Sequence, residues 1–376
     1  MSLLYAWCNL RQNGRRTLAA LAGLTFAVLL VYLQLGLLAA VRRATTQLYE
    51  CFDFDVVVVS LNYRQLGAPG AFDRMRLMQA DVVPGVAAVL PVGIETVSWT
   101  NPGTKQRIPI KLIGVPVRPE FLREPALRAQ LEALAGGQTV LVDRVSRASL
   151  GDVKVGDYAR INDQPLRLAG SYRLGSALEA EGGAFIEYEA WQRVTGHPGR
   201  DINFGLVRTR PGVDAAAVVR ELRAVLRDDL LVFTREEFLR NEQDYFVRVK
   251  PLGIVFQSGA IVGCLAGAVM LFQVLATDVT LRLREYATLK AMGFGARFVL
   301  GVGLCQALLY LGLSAVAATG LAAGVFLAVR VLTTVPAWLD WPLTGAVVAL
   351  VAGFGAISTG LALFRVRRAD PAALFP

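Results

Sequence analysis

Four stretches of the chain carry no charged side chain: Thr17–Val41, Pro251–Thr277, Phe298–Val329 and Trp341–Phe364. Each is longer than the roughly 20 residues that cross a hydrocarbon core of about 30 Å at 1.5 Å rise per residue. Buried helices of a soluble protein usually keep a polar stripe, and these runs show little of one. The pattern therefore predicts four membrane-spanning helices. Between the first two runs lies a long segment of ordinary mixed composition, enough for one or two globular subdomains.

That segment alternates strand and helix signals. "DFDVVVVS" (Asp53–Ser60) is a short β-branched run and predicts a strand. "QTVLVD" predicts another, followed by a short helix and a β-rich piece that turns at Asn162–Gln164. "INFGLVRT" and "LLVF" predict strands on either side of a helix, Ala215–Arg227, that Asp214 is placed to cap. Thr234-Arg-Glu-Glu237 has the form of a capping box opening a helix toward Pro251. Together these predict an α+β subdomain beside a more β-rich one.

Charge sets the orientation. Arg11, Arg15 and Arg16 precede the first run; Arg282, Arg284, Lys290 and Arg297 lie between the second and third; Arg365, Arg367 and Arg368 follow the fourth. These sets share one side, which the positive-inside bias makes cytoplasmic. Arg42 and Arg43 dissent, but they introduce a long domain, where the rule is weak. Trp338 and Trp341 suit the interfacial level of the short outer loop. The net charge of +9 is thus mostly a topology signal and not a nucleic-acid footprint.

The chain divides accordingly into a cytoplasmic amphipathic segment (1–16), a first span (17–41), an outer α+β domain (42–250) and a second span (251–277). A cytoplasmic helix (278–297), a third span (298–329), an outer loop (330–340), a fourth span (341–364) and a cytoplasmic tail (365–376) follow. The N-terminal segment reads equally as a helix lying on the membrane face or as the fraying start of the first span. The first run is long and has no clear small-residue cleavage site, so it reads as an anchor.

Candidate chemistry is sparse. Of the 4 cysteines, Cys8, Cys264 and Cys305 fall in or beside spans, so Cys51 alone is outside and has no partner for a bridge. The 1 histidine, His197, sits in a turn-like stretch and predicts a surface loop residue. Glu179 and Glu181, beside Gly182 and Gly183, read as a solvated loop rather than an acid–base pair. There is no G-x-S-x-G, no H-E-x-x-H and no metal-ligand spacing, hence no catalytic, cofactor or metal residue to assign. No Walker A sequence occurs either, so any ATP and magnesium would be bound by another polypeptide. Within the second span Gly259, Gly263 and Gly267 repeat every four residues. They form a ridge that lets another helix approach closely, in this chain or in a second copy.

One charged stretch stands between the second and third spans: "LRLREYATLKAMGFG", Leu281–Gly295. At 100° per residue Leu281, Glu285, Thr288, Leu289 and Met292 share a face, Lys290 points elsewhere, and Gly293 is placed to end the helix. A carboxylate in an apolar stripe wants a donor. Two readings remain: a helix that docks on a soluble partner, or a connector whose charges enforce topology.

Arg284-Glu285-Tyr-Ala-Thr-Leu289-Lys290-Ala-Met292-Gly293 resembles the R-E-I-G-x-L-R-A-L-G signature of FtsX-like and MacB-type ABC transporter permeases. The Arg-rich entry "NLRQNGRRTLAALAGLTFAVLL" and the ending "RVRRADPAALF" resemble the same family over the whole chain. Tyr286 and Ala287, with "LQLGL" at Leu33–Leu37, resemble most the DevC branch, the permeases of heterocyst-type glycolipid exporters.

The resemblance implies an α-helical membrane protein with four transmembrane helices and a periplasmic α+β domain, the MacB-like type VII ABC transporter fold, in a bacterial inner membrane with both termini cytoplasmic. It implies a non-catalytic homodimeric permease coupled through Leu281, Arg284, Glu285, Leu289, Lys290, Met292 and Gly293 to a homodimeric ATPase that holds ATP and magnesium. Motion would pass to the periplasm by mechanotransmission. There a membrane-fusion adaptor and a TolC-like outer-membrane protein would receive an amphiphilic or glycolipid-like cargo drawn from membrane lipids. Two relatives of different role share the signature: FtsX-like permeases that activate a cell-wall hydrolase, and lipoprotein-release permeases.

Overall fold

A computed structural model describes residues 14–145, 150–151, 153–175, 182–197, 199–226, 229–281, 296–332 and 335–368. The chain forms two compact units. One holds the apolar helices; the other comprises Ala40–Pro251 with Leu332–Pro336.

The helical unit contains most of α1 (Gly14–Glu50), with α7 (Pro251–Leu281), α8 (Ala296–Leu332) and α9 (Trp341–Arg368). All four are long and apolar enough to cross a membrane. Their apolar residues are not confined to the interior: Phe26, Ile254, Ile261, Leu265, Val269, Leu308 and Val316 are exposed. In water so much exposed apolar surface is unfavourable; in hydrocarbon it is required. Helix α1 does not stop where the charge-free run stops, because no Gly or Pro follows Val41 before its end at Glu50. Asp340 caps α9, its Oδ1 accepting from Leu343 N at 3.2 Å.

The globular unit is built on a nine-stranded sheet. Its strands are β1 (Val56–Ser60), β3 (Val86–Thr100), β4 (Arg107–Val115), β5 (Thr139–Asp143), β6 (Tyr158–Ile161), β7 (Gln164–Tyr172), β8 (Gly183–Glu187), β10 (Phe204–Thr209) and β11 (Leu230–Thr234). β2 (Phe72–Asp73) and β9 (Asp201–Ile202) pair separately. The helices are α2 (Arg74–Asp81), α3 (Pro125–Gln130), α4 (Tyr188–Thr195), α5 (Ala215–Leu226) and α6 (Arg235–Asp244).

The sheet order is β11-β1-β10-β3-β4-β8-β5-β7-β6, and β6 returns to β3 through Trp99↔Ile161 and Thr100↔Arg160. Strand β3 therefore serves two structures. Its first half, Val86–Val92, pairs with β10 in an open antiparallel sheet; Gly93–Thr100 pairs with β4 in a closed six-stranded barrel. At the changeover Gly93 lies opposite Gly114 of β4, and the indole of Trp191 occupies the space that Cβ atoms on both would need.

The open sheet is covered on both faces, which explains the four consecutive valines of β1. Val56 and Val58 join the core formed with α2 and α5, while Val57 and Val59 join the core formed with Tyr49, Phe204 and Phe238. A strand buried on both sides reads as a continuous apolar run. The turn between β6 and β7 takes left-handed backbone at Asn162 and Asp163, residue types that tolerate it. The capping box of α6 is complete: Glu237 N donates to Thr234 Oγ1, and Thr234 N donates to Glu237 Oε2. The fold class is as the sequence predicts, with an α+β half beside a β-rich half.

Two outcomes follow. Trp99 is 0% exposed inside the barrel, and its Nε1 donates to Leu150 O at 3.1 Å. Trp99→Ala is expected to destabilise the domain by about 3–5 kcal/mol in denaturant unfolding. Cys51 is 4% exposed. Its thiol is pushed up to about 12 by burial first, then by the carboxylates of Glu124, Asp143 and Glu50. A maleimide at neutral pH should leave the Cys51 peptide unlabelled until the protein is unfolded, as read by mass spectrometry.

Candidate functional site

The residues predicted to couple to a partner fall mostly outside the described part of the chain. Leu281 is the last residue of α7; Arg284, Glu285, Leu289, Lys290, Met292 and Gly293 lie beyond it, outside the described residues, as do Glu179 and Glu181. The other predicted site, the glycine ridge, is fully placed.

Gly259, Gly263 and Gly267 face α1 of the same chain. A Cβ on Gly259 would stand 2.5 Å from Gln34 Cδ, and one on Gly263 3.0 Å from Val31 Cγ2. On Gly267 it would meet Phe354 Cζ of α9 at 3.0 Å and Ala27 Cβ at 3.4 Å. The contact is therefore an intrachain one, and it brings α1, α7 and α9 to one seam. Small residues permit this approach because hydrocarbon gives no hydrophobic drive for apolar helices to associate, and close packing must supply it.

Polar groups pin the remaining crossings. Tyr32, fully buried, shares a hydrogen bond with Thr319 of α8 at 2.9 Å. Gly36 on the same side of α1 receives the ring of Phe326. Ser358 Oγ donates to Ala268 O of α7 at 3.0 Å, and Gly355 takes the Leu311 side chain of α8. Gln34 Oε1 is buried and has no hydrogen-bond partner among the described residues. Gln34 is polar within an apolar run, but its meeting with Gly259 has no local sequence signal. The Tyr32–Thr319 pair has no sequence signal, because each residue alone is ordinary in a membrane helix.

In the globular unit His197 is not a free surface residue. Its ring stacks on Trp191 with centroids 5.0 Å apart and planes 7° apart, and Nε2 lies 2.9 Å from Glu95 Oε2. It fastens the end of α4 to β3, which is a packing role. Beneath the end of α1 a cavity of about 20 Å³ is lined by Gln47, Lys111, Tyr172 and Gly183. That is room for a water, not for a lipid or peptide. Burial raises the Tyr172 hydroxyl well above its usual range, and burial raises Asp143 against three backbone N–H donors that lower it. Gln47 Nε2 donates to Leu174 O, tying α1 to the same corner. Among the described residues no three of His, Cys, Asp or Glu form a group that could hold a metal ion.

The MacB-like periplasmic core domain family matches residues 17–225, more than half of the chain. The chain belongs to that family. The FtsX-like permease C-terminal family matches residues 258–371, covering α7 to α9. No curated protein sequence matches the chain. Among solved structures, the periplasmic region of MacB from Actinobacillus actinomycetemcomitans is similar with 9% identity and a TM-score of 0.37. That match covers 53% of this chain and 96% of that one. The extracellular domain of the ABC-type transporter YknZ from Gram-positive bacteria is similar with 12% identity and a TM-score of 0.34, over 48% of this chain and 98% of that one. The globular unit is thus a MacB-like α+β domain, and with four apolar helices it fits a membrane permease.

The seam makes a graded prediction for this MacB-like permease. Gln34 is a flexible side chain whose amide can swing aside, so Gly259→Ala should be tolerated. Val31 is β-branched and stiff in a helix, so Gly263→Leu has no such relief. In detergent-solubilised protein Gly263→Leu should cost about 1–3 kcal/mol of thermal stability and Gly259→Ala less. A Gly263→Leu variant as stable as the wild type would mean that Val31 and Leu30 do not bound Gly263 closely.

Proposed function

We propose that the chain is the non-catalytic permease subunit of an ABC exporter, working by mechanotransmission. The observation that carries the reading is the pairing, in one chain, of a MacB-like domain inserted after the first apolar helix with an FtsX-like block spanning the last three. On this reading a separate ATPase pair binds ATP and magnesium in the cytoplasm. Its closure moves Leu281–Gly293, and the helices carry that motion to a periplasmic domain. The basic flanks support cytoplasmic termini in a bacterial inner membrane.

The working unit is a homodimer of permeases. An adaptor of the membrane-fusion type and a TolC-like duct take the cargo onward. The wording "EYATLKAMG" supports the DevC branch, and an amphiphile gathered from membrane lipids is the matching cargo class. The exposed apolar surface of α7 and α8 is compatible with such a lipid-side origin. A cell-wall regulator of FtsX type would instead hold a hydrolase at the globular domain, so co-purification of a hairpin adaptor or a hydrolase separates the two.

The decisive residues are Glu285 and Leu289. Loss of one partner of a desolvated charged pair costs about 2–5 kcal/mol, or roughly 30-fold or more in affinity. Glu285→Ala with Leu289→Ala should insert normally, fail to co-purify the ATPase and abolish export, while Arg297→Ala should matter less. The purified chain alone should not hydrolyse ATP. Full ATPase recruitment by the double variant would reduce the stretch to a charged connector.

A further inference from the structure

The chain enters and leaves the globular unit through connections of unequal stiffness. Helix α1 is uninterrupted from Gly14 to Glu50. The return path is broken: after α6, Tyr245–Val249 form one π-helical turn, Lys250 is extended (φ −80°, ψ 143°), and Pro251 opens α7. Proline disfavours helical backbone in the residue before it and has no N–H to continue the ladder. The return path therefore has a joint, and α1 has none.

Just before that joint, α6 carries a buried carboxylate. Its sequence, REEFLRNEQD, is polar, and only Phe238 and Glu242 are buried, one turn apart on one face. Glu242 is 1% exposed. Tyr63 Oη donates to Glu242 Oε1 at 2.5 Å, and Tyr49 Oη donates to Oε2 at 3.4 Å. The two hydroxyls lie 3.1 Å apart. Tyr49 is in the last turn of α1, and Tyr63 follows β1. Phe204 and Phe238 pack edge-on against Tyr49, with centroids 5.8 and 4.8 Å away, which keeps the carboxylate from water. Burial, with Tyr49 and Glu242 beside it, raises the Tyr63 hydroxyl well above its usual range, so it stays a donor.

A buried carboxylate is costly unless it accepts hydrogen bonds, and charge-assisted bonds of this kind are directional. A leucine at 242 would satisfy packing alone. We propose that Glu242 is a positioning residue for transmission: it latches α6, the segment that leads into the joint, to the end of α1, so that α6 and that end move together. This rests on the permease reading above, which supplies the motion, but the latch itself is testable without it.

The first test is hydrogen exchange on the full-length chain in detergent, comparing wild type with Glu242→Ala and Tyr63→Phe. Peptides within 236–249 should exchange at least tenfold faster in both variants, while peptides in 86–115 and 183–209 keep wild-type rates. Tyr63→Phe guards against misfolding, since it removes a hydroxyl and leaves the aromatic wall. Wild-type exchange in 236–249 in Tyr63→Phe, or a uniform rise across the domain, would overturn the latch. The second test uses the complex with its ATPase. Both variants should bind the ATPase and hydrolyse ATP at the wild-type rate, yet export at least fivefold less per ATP. Unchanged export despite a loosened 236–249 segment would also overturn the proposal. If wild type recruits no ATPase, the permease reading fails, and the exchange result still decides whether the latch exists.

Discussion

An indole ring lying on two glycines holds the globular unit together. Trp191 of α4 rests where Gly93 and Gly114 have no Cβ, at the point where β3 passes from the open sheet into the barrel. Any side chain at either glycine would push the ring off, and α4 with it. His197 extends the stack and, through Glu95, returns it to β3. Both halves of the domain share this strand, so the changeover fixes their mutual position. The last turn of α1 packs into the same unit through Tyr49, whose neighbours Phe204 and Phe238 come from the open sheet and from α6.

Much of this was legible in the sequence, for identifiable reasons. The charge-free apolar runs report the four helices long and apolar enough to cross a membrane, because an uninterrupted run of that length has no polar face to break it. The Thr234–Glu237 box and the Asn162–Asp163 turn are local devices, visible wherever their residues stand. What stayed hidden depends on distant pairing. Barrel closure between Trp99 and Ile161 joins strands with no shared pattern, and the fifteen-residue β3 changes partners without a sequence break. The glycine ridge was readable as a ridge, but not the identity of Gln34, Val31 and Ala27 opposite it. Glu242 looks like any other charge on a polar helix. Only the fold turns its face inward.

Stiffness divides the molecule's labour. Helix α1 runs without a break, whereas the connection after α6 is interrupted at Lys250–Pro251. In the helical unit the glycines of α7 pack on α1, Tyr32 of α1 bonds Thr319 of α8, and Ser358 of α9 bonds the Ala268 carbonyl of α7. Within the globular unit, the carboxylate of Glu242 joins α6 to the end of α1 by different chemistry. Close packing suits hydrocarbon, where shape is all that apolar helices can offer each other. A charged acceptor suits a site walled by aromatics, where each donor has a defined direction.

The position of β1 also governs how the domain can be made. Its four valines are apolar on both faces, yet its two neighbours in the sheet, β10 and β11, come from the far end of the domain. While the chain is being synthesised, this strand has nothing to pair with until almost the whole domain has followed. Such late pairing slows folding and exposes an aggregation-prone segment. Truncation anywhere before Thr234 leaves the valines without a complete sheet.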